Sequence, residues 1–278
     1  MTKTRVLAAL VMGPLAIAAI LLLPTPWMAA LSAVIFLLGL WEWLKLAEID
    51  DPIARSVLLV ANLLMMVAIV WASRSSAGGS LVLFQLMSLI GAVWWLLSLL
   101  WLRHYGFASD HDTHARVFKL AAATLSVIPA WCALALIHAE RPNGQYWLLV
   151  ALMIVWSADS GAYFAGRKFG KRKLSPRISP NKTVEGLIGG VIAGMLVALI
   201  GAALIGAPLA QFPGIALVAA WTILFSVVGD LFESLLKRHV GAKDSGALIP
   251  GHGGVLDRID SVLAALPVFA VGKLLLGF

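Results

Sequence analysis

Apolar runs long enough to cross a lipid bilayer recur along almost the whole sequence. A helix needs about 20 residues to cross roughly 30 Å of hydrocarbon, and it satisfies every backbone polar group within its own segment. Only 13% of the residues are charged, whereas soluble domains have about a quarter. The fold class is therefore predicted to be all-α, a polytopic integral membrane protein with about nine transmembrane helices. The nine runs are residues 6–23, 27–46, 56–73, 80–102, 117–138, 146–166, 184–206, 213–236 and 261–277.

The Lys and Arg residues predict the orientation, because cytoplasmic loops retain an excess of positive charge. With nine spans, 18 of the 21 lie on the side of the N-terminus and 3 on the other. We expect a bacterial inner (plasma) membrane, with the N-terminus in the cytoplasm and the C-terminus outside. An even number of spans would change this at the tight turn around Pro24 and Pro26. Loops facing anionic lipid account for the net charge of +7, so membrane lipid and not nucleic acid is the expected partner.

The chain is expected to form a single membrane domain, residues 1–278, because no loop is long enough to fold alone. Residues 1–145 contain plain hydrophobic spans, whereas polar residues concentrate in the expected catalytic half, residues 146–278. The first span also has the form of a signal peptide, but no cleavage site precedes the second span. Cys132 is the only cysteine, so neither a disulfide framework nor a thiol-bound metal is expected.

Several polar and aromatic residues of the first half have structural interpretations. Glu42 and Lys45, three residues apart at a span end, are interpreted as an interfacial pair that extends toward the membrane surface. Six tryptophans near span ends are interpreted as membrane anchors. They are Trp27, Trp41, Trp43, Trp71, Trp101 and Trp147.

Two polar clusters flank the end of the sixth span. Asp159 lies within that span, where an ionised carboxylate costs several kcal/mol unless it is paired, hydrated or bound to a cation. The alternative is a carboxylate that reaches out to Arg167 or Lys168. Further on, the basic run 171–173 is interpreted as a retained cytoplasmic loop. The segment SPNKT, with Ser179, Asn181, Lys182 and Thr183, precedes the seventh span, where backbone N–H groups and the helix dipole favour an anion.

The third cluster begins in the eighth span. Asp230, Glu233, Ser234 and Lys237 follow i, i+3, i+4, i+7 spacing and share one helix face. Beyond them come Lys243 and Asp244, PGHGG at 250–254, and then Asp257, Arg258 and Asp260. Glycines such as Gly251, Gly253 and Gly254 let the main chain approach a ligand closely.

Hard oxygen ligands and cations this dense, at the membrane edge, predict a magnesium and phosphate site. Mg²⁺ binds a few carboxylates together with waters and substrate phosphates. Asp230, Asp257 and Asp260 are the predicted ligands, and Asp159 is a further candidate, either as a ligand or as the neighbour of one. Lys182, Lys237, Arg238, Lys243 and Arg258 would surround the phosphates. A lipid phosphate that meets a metal–nucleotide complex fits this arrangement.

Residues 234–260 also resemble a known signature. They read Ser-x-x-Lys-Arg, four residues, Lys-Asp, five residues, Pro-Gly-His-Gly-Gly-x-x-Asp-Arg-x-Asp. This pattern closely resembles that of the phosphatidate cytidylyltransferases, or CDP-diacylglycerol synthases, and DSGAYFAGRKFGK and SPNKTVEG look like segments of the same family. The resemblance covers residues 150–275 strongly and the first half only as a generic set of spans.

The resemblance implies transfer of CMP from CTP to phosphatidic acid, giving CDP-diacylglycerol and pyrophosphate, with Mg²⁺ required and the site open to the cytoplasm. The catalytic candidates are Lys237, Arg238, Lys243, Asp244, His252 and Arg258. The substrate-binding candidates are Ser179, Asn181, Lys182, Thr183, Ser234, Gly251, Gly253 and Gly254. His252 is expected to donate a hydrogen bond, because a phosphate dianion needs no obligatory base near neutral pH. A second cation and a homodimer are left open.

Two other functions compete with this interpretation. A CTP-dependent kinase of polyprenol or phytol would need a base for a neutral alcohol, and His252 or Asp244 would serve. A transporter would explain Asp159 and Asp230 within spans. Transporters, however, have interrupted helices in corresponding positions of two repeated halves, and the polar residues here occupy one half only.

The charge distribution generates a topology prediction. A reporter fused after residue 175 should report the cytoplasm, and one fused at the C-terminus should report the outside. Measuring both fusions in cells checks the nine-span arrangement, which is wrong if the two report the same compartment.

Overall fold

The computed structural model describes residues 2–75, 80–248 and 253–278. Within these ranges the chain forms nine α-helices, eight of which are long and apolar enough to cross a membrane. The predicted all-α membrane fold is confirmed, and the predicted spans match the helices to within five residues at each end. The helices are α1 (Thr2–Leu22), α2 (Thr25–Leu46), α3 (Pro52–Ser75), α4 (Val82–Arg103), α5 (Thr113–Ala139), α6 (Gly144–Phe169), α7 (Val184–Ile205), α8 (Phe212–His239) and α9 (Leu256–Leu276).

The turn around Pro24 and Pro26, where the sequence leaves the number of spans open, separates two helices. Pro24 is the N-cap residue of α2, and Pro26 lies in its first turn, where the missing backbone N–H removes no hydrogen bond within the helix. His138 at the end of α5 fastens this turn, because its ring contacts Thr25 Oγ1 and the Ile20 carbonyl oxygen, each at 2.9 Å. The α1–α2 pair is therefore tied to the rest of the bundle at the end opposite the polar clusters.

A small β-hairpin between α6 and α7 was not predicted. Its strands β1 (Lys173–Ser175) and β2 (Ser179–Thr183) are antiparallel, with Ser175 opposite Ser179. Thr183 ends β2 and also begins α7, because its Oγ1 accepts a hydrogen bond from the backbone N–H of Gly186 at 3.1 Å. The SPNKT segment is therefore a strand that runs directly into a helix N-terminus.

Helices α6 and α7 pack closely because small residues line their contact. A Cβ added at Gly189 would overlap the Cβ of Ala165, and one added at Gly190 would lie 2.8 Å from the Ala158 carbonyl oxygen. Small residues let helix backbones approach in this way inside membranes. The close contact brings Asp159 on α6 beside the strand and helix start that follow it.

The aromatic residues of the first half are not all anchors. Trp27 and Trp71 are about 70% exposed and fit the prediction, but Trp43, Trp101 and Trp147 are buried, so the anchor interpretation is wrong for these three. Trp43 and Trp101 pack around Phe232 of α8, with ring centroids 5.9 and 5.2 Å away. The first half therefore forms the core on which α8 rests.

Candidate active site

Two cavities meet at the end of the bundle that carries the polar clusters. The first, of about 580 Å³, lies between α6, α7, the hairpin and α8. The second, of about 610 Å³, lies between α1, α2, α6 and α9. Asp159 and Asp230 line both cavities. These two carboxylates therefore mark the junction where molecules bound in the two cavities would touch.

The first cavity is polar at the hairpin. Lys182 Nζ lies 2.6 Å from Asp230 Oδ2, which joins β2 to α8. The structure thus brings the predicted SPNKT residues to the predicted carboxylate of α8. The polar residues lining this cavity are Asp159, Tyr163, Arg167, Ser179, Asn181, Lys182, Thr183 and Asp230.

The second cavity is amphiphilic. Its apolar wall comes from α1 and α2, where Leu31 and Ile35 are partly exposed on the outer surface of the bundle. At its other end stand Asp159, Asp230, Asp257, Arg258 and Asp260. The cavity therefore offers apolar and charged walls to one ligand.

Asp257 organises the loop between α8 and α9, residues 240–255, which we call the α8–α9 loop. Its carboxylate accepts hydrogen bonds from the backbone N–H groups of Ser245 at 3.1 Å and Gly254 at 2.7 Å. Lys237 Nζ lies 2.7 Å from Asp257 Oδ1 and 2.5 Å from Glu233 Oε2. Gly253 has a φ of 85°, a left-handed conformation that favours glycine. The described residues of the loop are therefore folded around one carboxylate and one ammonium group.

The donor chemistry at the junction fits Mg²⁺. Asp159, Asp230 and Asp260 lie close enough for their negative charges to repel one another. Across the described ranges no three acidic, His or Cys side chains form a ready-made metal cage. Mg²⁺ does not require one, because it keeps several waters and takes one or two carboxylates alongside phosphates. A cation at the junction would offset the repulsion.

Other predicted site residues serve the architecture around the junction. Arg238 Nε donates to the Ile178 carbonyl oxygen at 3.2 Å, which fastens the hairpin to α8. Ser234 Oγ donates to Asp230 Oδ1 at 3.4 Å, as the shared helix face predicts. Thr183 starts α7 through its hydroxyl. These residues hold the lining in position, and a substrate contact for each stays a prediction.

The remaining predicted residues lie in the α8–α9 loop or outside the described ranges. Lys243 and Asp244 are exposed on this loop. Gly251 and His252 lie outside the described residues. Gly254 is buried, and its backbone N–H is directed to Asp257. The catalytic roles of Lys243, Asp244 and His252 stay predictions.

Glu42 corrects an interpretation made from the sequence. The interfacial pair with Lys45 is wrong, because the Glu42 side chain is fully buried whereas Lys45 is exposed. Glu42 Oε2 accepts hydrogen bonds from Ser245 Oγ at 3.0 Å and from the Leu256 backbone N–H at 2.8 Å. The nearby Lys45 suggested a local ion pair, whereas the actual partners of Glu42 lie more than two hundred residues away in the sequence.

The basic run 171–173, which leads from α6 into β1, is held by its backbone. Glu185 of α7 accepts hydrogen bonds from the backbone N–H groups of Lys171 at 3.0 Å and Arg172 at 3.1 Å. The side chains of this run are exposed, and the Arg172 Nε to Glu185 Oε1 distance is 3.7 Å. The charges therefore contribute little to holding the loop.

Comparison with known proteins gives matches over nearly the whole chain. Residues 3–275 match the cytidylyltransferase family. The phosphatidate cytidylyltransferase of Haemophilus influenzae is 37% identical over 285 residues, covering 97% of this chain and 98% of its own. That of Pseudomonas aeruginosa is 38% identical over 287 residues, covering 97% and 96%. That of Bacillus subtilis is 47% identical over 124 residues, covering 45% and 46%.

The basic run 171–173 generates a prediction about whether its side chains belong to the phosphate-binding site. Replacing Lys171, Arg172 and Lys173 together with Gln should leave turnover within a few-fold, because backbone N–H groups make the bonds to Glu185 and exposed ion pairs contribute little. Glu185→Ala, which removes the acceptor, should lower turnover more. Steady-state rates of the purified variants check this. Loss of activity in a triple variant that still inserts would extend the phosphate site to this run.

Proposed function

Because this chain belongs to the cytidylyltransferase family, we propose that the two cavities hold the two substrates of its reaction. The protein is a nucleotidyltransferase that transfers CMP to phosphatidic acid and forms CDP-diacylglycerol for phospholipid biosynthesis. The observation that carries the site assignment is the junction at Asp159 and Asp230, where a polar and an amphiphilic cavity meet. With relatives of this activity matching the whole chain, a polyprenol kinase and a transporter are not favoured.

The chemistry of each cavity assigns its substrate. CTP occupies the first cavity, where Lys182, Arg167 and Asn181 offer hydrogen-bond donors to phosphate and base. Phosphatidic acid occupies the second, because acyl chains suit the wall of α1 and α2 and the phosphate suits the end near Arg258. This arrangement directs the lipid phosphate and the α-phosphate of CTP to the same junction.

The reaction joins two anions, so positive charge is the main requirement. A phosphate oxygen of phosphatidic acid forms a bond to the α-phosphorus of CTP, and the bond from that phosphorus to the bridging oxygen breaks as pyrophosphate leaves. Lys182, Lys237 and Arg258 screen the repulsion and stabilise charge on the transferred group. No covalent enzyme intermediate is needed. The second pKa of a phosphate monoester is about 6, so its dianion is available near neutral pH.

Mg²⁺ is the proposed cofactor, which Asp230 and Asp260 would hold with Asp159 adjacent. Binding there would require Lys182 Nζ, 2.6 Å from Asp230 Oδ2, to move to a substrate phosphate. Bound there, the cation would neutralise negative charge on the phosphates. A ligand role for Asp257 stays a prediction, because Lys237 and two backbone N–H groups already occupy its oxygens. Before a cation could bind Asp257, Lys237 Nζ would have to leave its carboxylate.

The protein is embedded in a membrane, and we propose that the membrane is the bacterial inner membrane with the site on the cytoplasmic side. Its relatives are bacterial, and CTP is a cytoplasmic nucleotide. The charge distribution of the loops supports the same orientation.

A labelling experiment tests the reaction. The chain purified in detergent, with Mg²⁺ and phosphatidic acid, should transfer label from α-³²P CTP into lipid and none from γ-³²P CTP. A kinase would give the opposite pattern, because it transfers the γ-phosphate. Reactions with phytol or a polyprenol in place of phosphatidic acid are the control. Label that enters lipid from γ-³²P CTP would contradict the proposed function.

The junction carboxylates generate a second prediction. Asp230→Asn should lower turnover by about two orders of magnitude or more, the scale for removing a group that stabilises a charged transition state. Asp257→Asn should lower turnover to a similar extent, because its carboxylate holds Lys237 and the backbone of the α8–α9 loop. Asp110→Asn, the same change at an exposed loop position, should leave turnover within a few-fold. Rates across a Mg²⁺ titration check this. A near-normal rate with unchanged Mg²⁺ dependence would remove that carboxylate from the site.

A further inference from the structure

Glu42 is a buried carboxylate that lies against the α8–α9 loop from the other half of the chain. Its exposed fraction is 0%, although it lies only one turn before the end of α2. Its Oε2 accepts one hydrogen bond from Ser245 Oγ, within the α8–α9 loop, and one from the Leu256 backbone N–H, at the start of α9. Glu42 therefore links the α8–α9 loop to the first turn of α9, which carries Asp257.

Two glycines of the loop fit closely around this carboxylate. A Cβ added at Gly246 would overlap Glu42 Oε1, and one added at Gly254 would overlap Oε2. Neither glycine has a positive φ, so backbone conformation does not require glycine at either position. The space that they leave is taken by the Glu42 side chain.

The position of Glu42 is set by its own helix and not by the loop. The neighbouring Trp43 is buried and donates through Nε1 to the Lys119 carbonyl oxygen of α5 at 3.1 Å. Just after α2, Glu48 pairs with Lys119 Nζ at 3.3 Å. Burial raises the pKa of Glu48, but hydrogen bonds with His111 and Lys119 outweigh it and keep the pKa below its usual value. This end of α2 is therefore fixed against α5.

We propose that Glu42 is a positioning residue for CMP transfer, which acts by holding the α8–α9 loop around Asp257. The inference rests on the proposed function of the site. Glu42 bonds the backbone N–H of Leu256, the residue before Asp257, and the side chain of Ser245, whose own N–H bonds Asp257. Glu42 thus holds both Ser245, which donates to the Asp257 carboxylate, and Leu256, which precedes Asp257 in the chain.

The described surroundings of Glu42 favour a structural role over a direct role in the chemistry. In the described part of the chain, Glu42 lines neither cavity. Its Oε2 is already occupied twice, and its buried Oε1 has no hydrogen-bond partner there. Both observed bonds use one acceptor oxygen, which an uncharged side chain of the same shape would also supply.

Substitutions at Glu42 separate these roles. Glu42→Gln keeps an acceptor oxygen and the side-chain length, so its turnover should stay within about threefold of wild type, the effect of less than one hydrogen bond. Glu42→Ala leaves the Leu256 N–H and the Ser245 hydroxyl without an acceptor, and turnover should fall about tenfold or more. Lys45→Gln on the same helix is the control and should be unchanged. An inactive Glu42→Gln variant, or a fully active Glu42→Ala variant, would overturn the proposal.

Hydrogen exchange gives a readout that does not depend on activity. The Leu256 amide should exchange faster in Glu42→Ala than in wild type, whereas Glu42→Gln and Lys45→Gln should match wild type. Mass spectrometry of the peptide that contains residues 253–262 measures this in detergent. Unchanged exchange in Glu42→Ala would show that the carboxylate does not hold the loop.

Gly246 offers a test of the contact itself. Gly246→Ala should lower turnover in the wild-type background, because the added methyl overlaps Glu42 Oε1. In the Glu42→Ala background that overlap is gone, so the same substitution should cause no further loss. Additive effects would contradict the contact. If wild type itself formed no lipid-linked CMP, the proposed function would fail, while the exchange measurement would still decide whether Glu42 holds the loop.

Discussion

The salt bridge between Lys182 and Asp230 is the interaction on which the arrangement of the site depends. Asp230 lies inside a helix that is apolar enough to cross a membrane, where an unpaired carboxylate is costly. Its partner lies on a strand between two other helices, 2.6 Å away. The hairpin brings this cation back to the depth of Asp230, and the close glycine contact of α6 with α7 places Asp159 beside the same strand. Both cavities open beside the pair.

The helices could be predicted from the sequence because hydropathy along a membrane span is a one-dimensional signal. The third polar cluster could be predicted for a similar reason, because its four residues share a helix face at fixed spacing. The structure pairs Ser234 with Asp230 and Lys237 with Glu233. The hairpin was missed because its strands are short, polar and surrounded by basic residues. Nothing in such a segment distinguishes a strand from a solvated loop.

Other errors arose where one local pattern has two structural causes. An aromatic ring near a span end can anchor at the membrane surface, as Trp27 does, or pack into the bundle, as Trp43 does. Only the contact with Phe232 of α8 decides between them. The interfacial pair of Glu42 with Lys45 is wrong for the same reason, because Lys45 is close in sequence whereas Leu256 is close only in the folded chain. Partners this far apart leave no trace in local spacing.

The first half of the chain also sets the register of α9, which carries three of the predicted site residues near its start. Trp95 Nε1 donates to the Leu263 carbonyl oxygen at 2.9 Å, and Glu42 accepts from the Leu256 N–H at 2.8 Å. These two backbone contacts lie about two turns apart on α9. A slip of one turn would move Asp257 by about 5.4 Å, farther than any contact that it makes. A plain set of hydrophobic spans would allow that slip, so α2 and α4 contribute to the site by fixing where α9 begins.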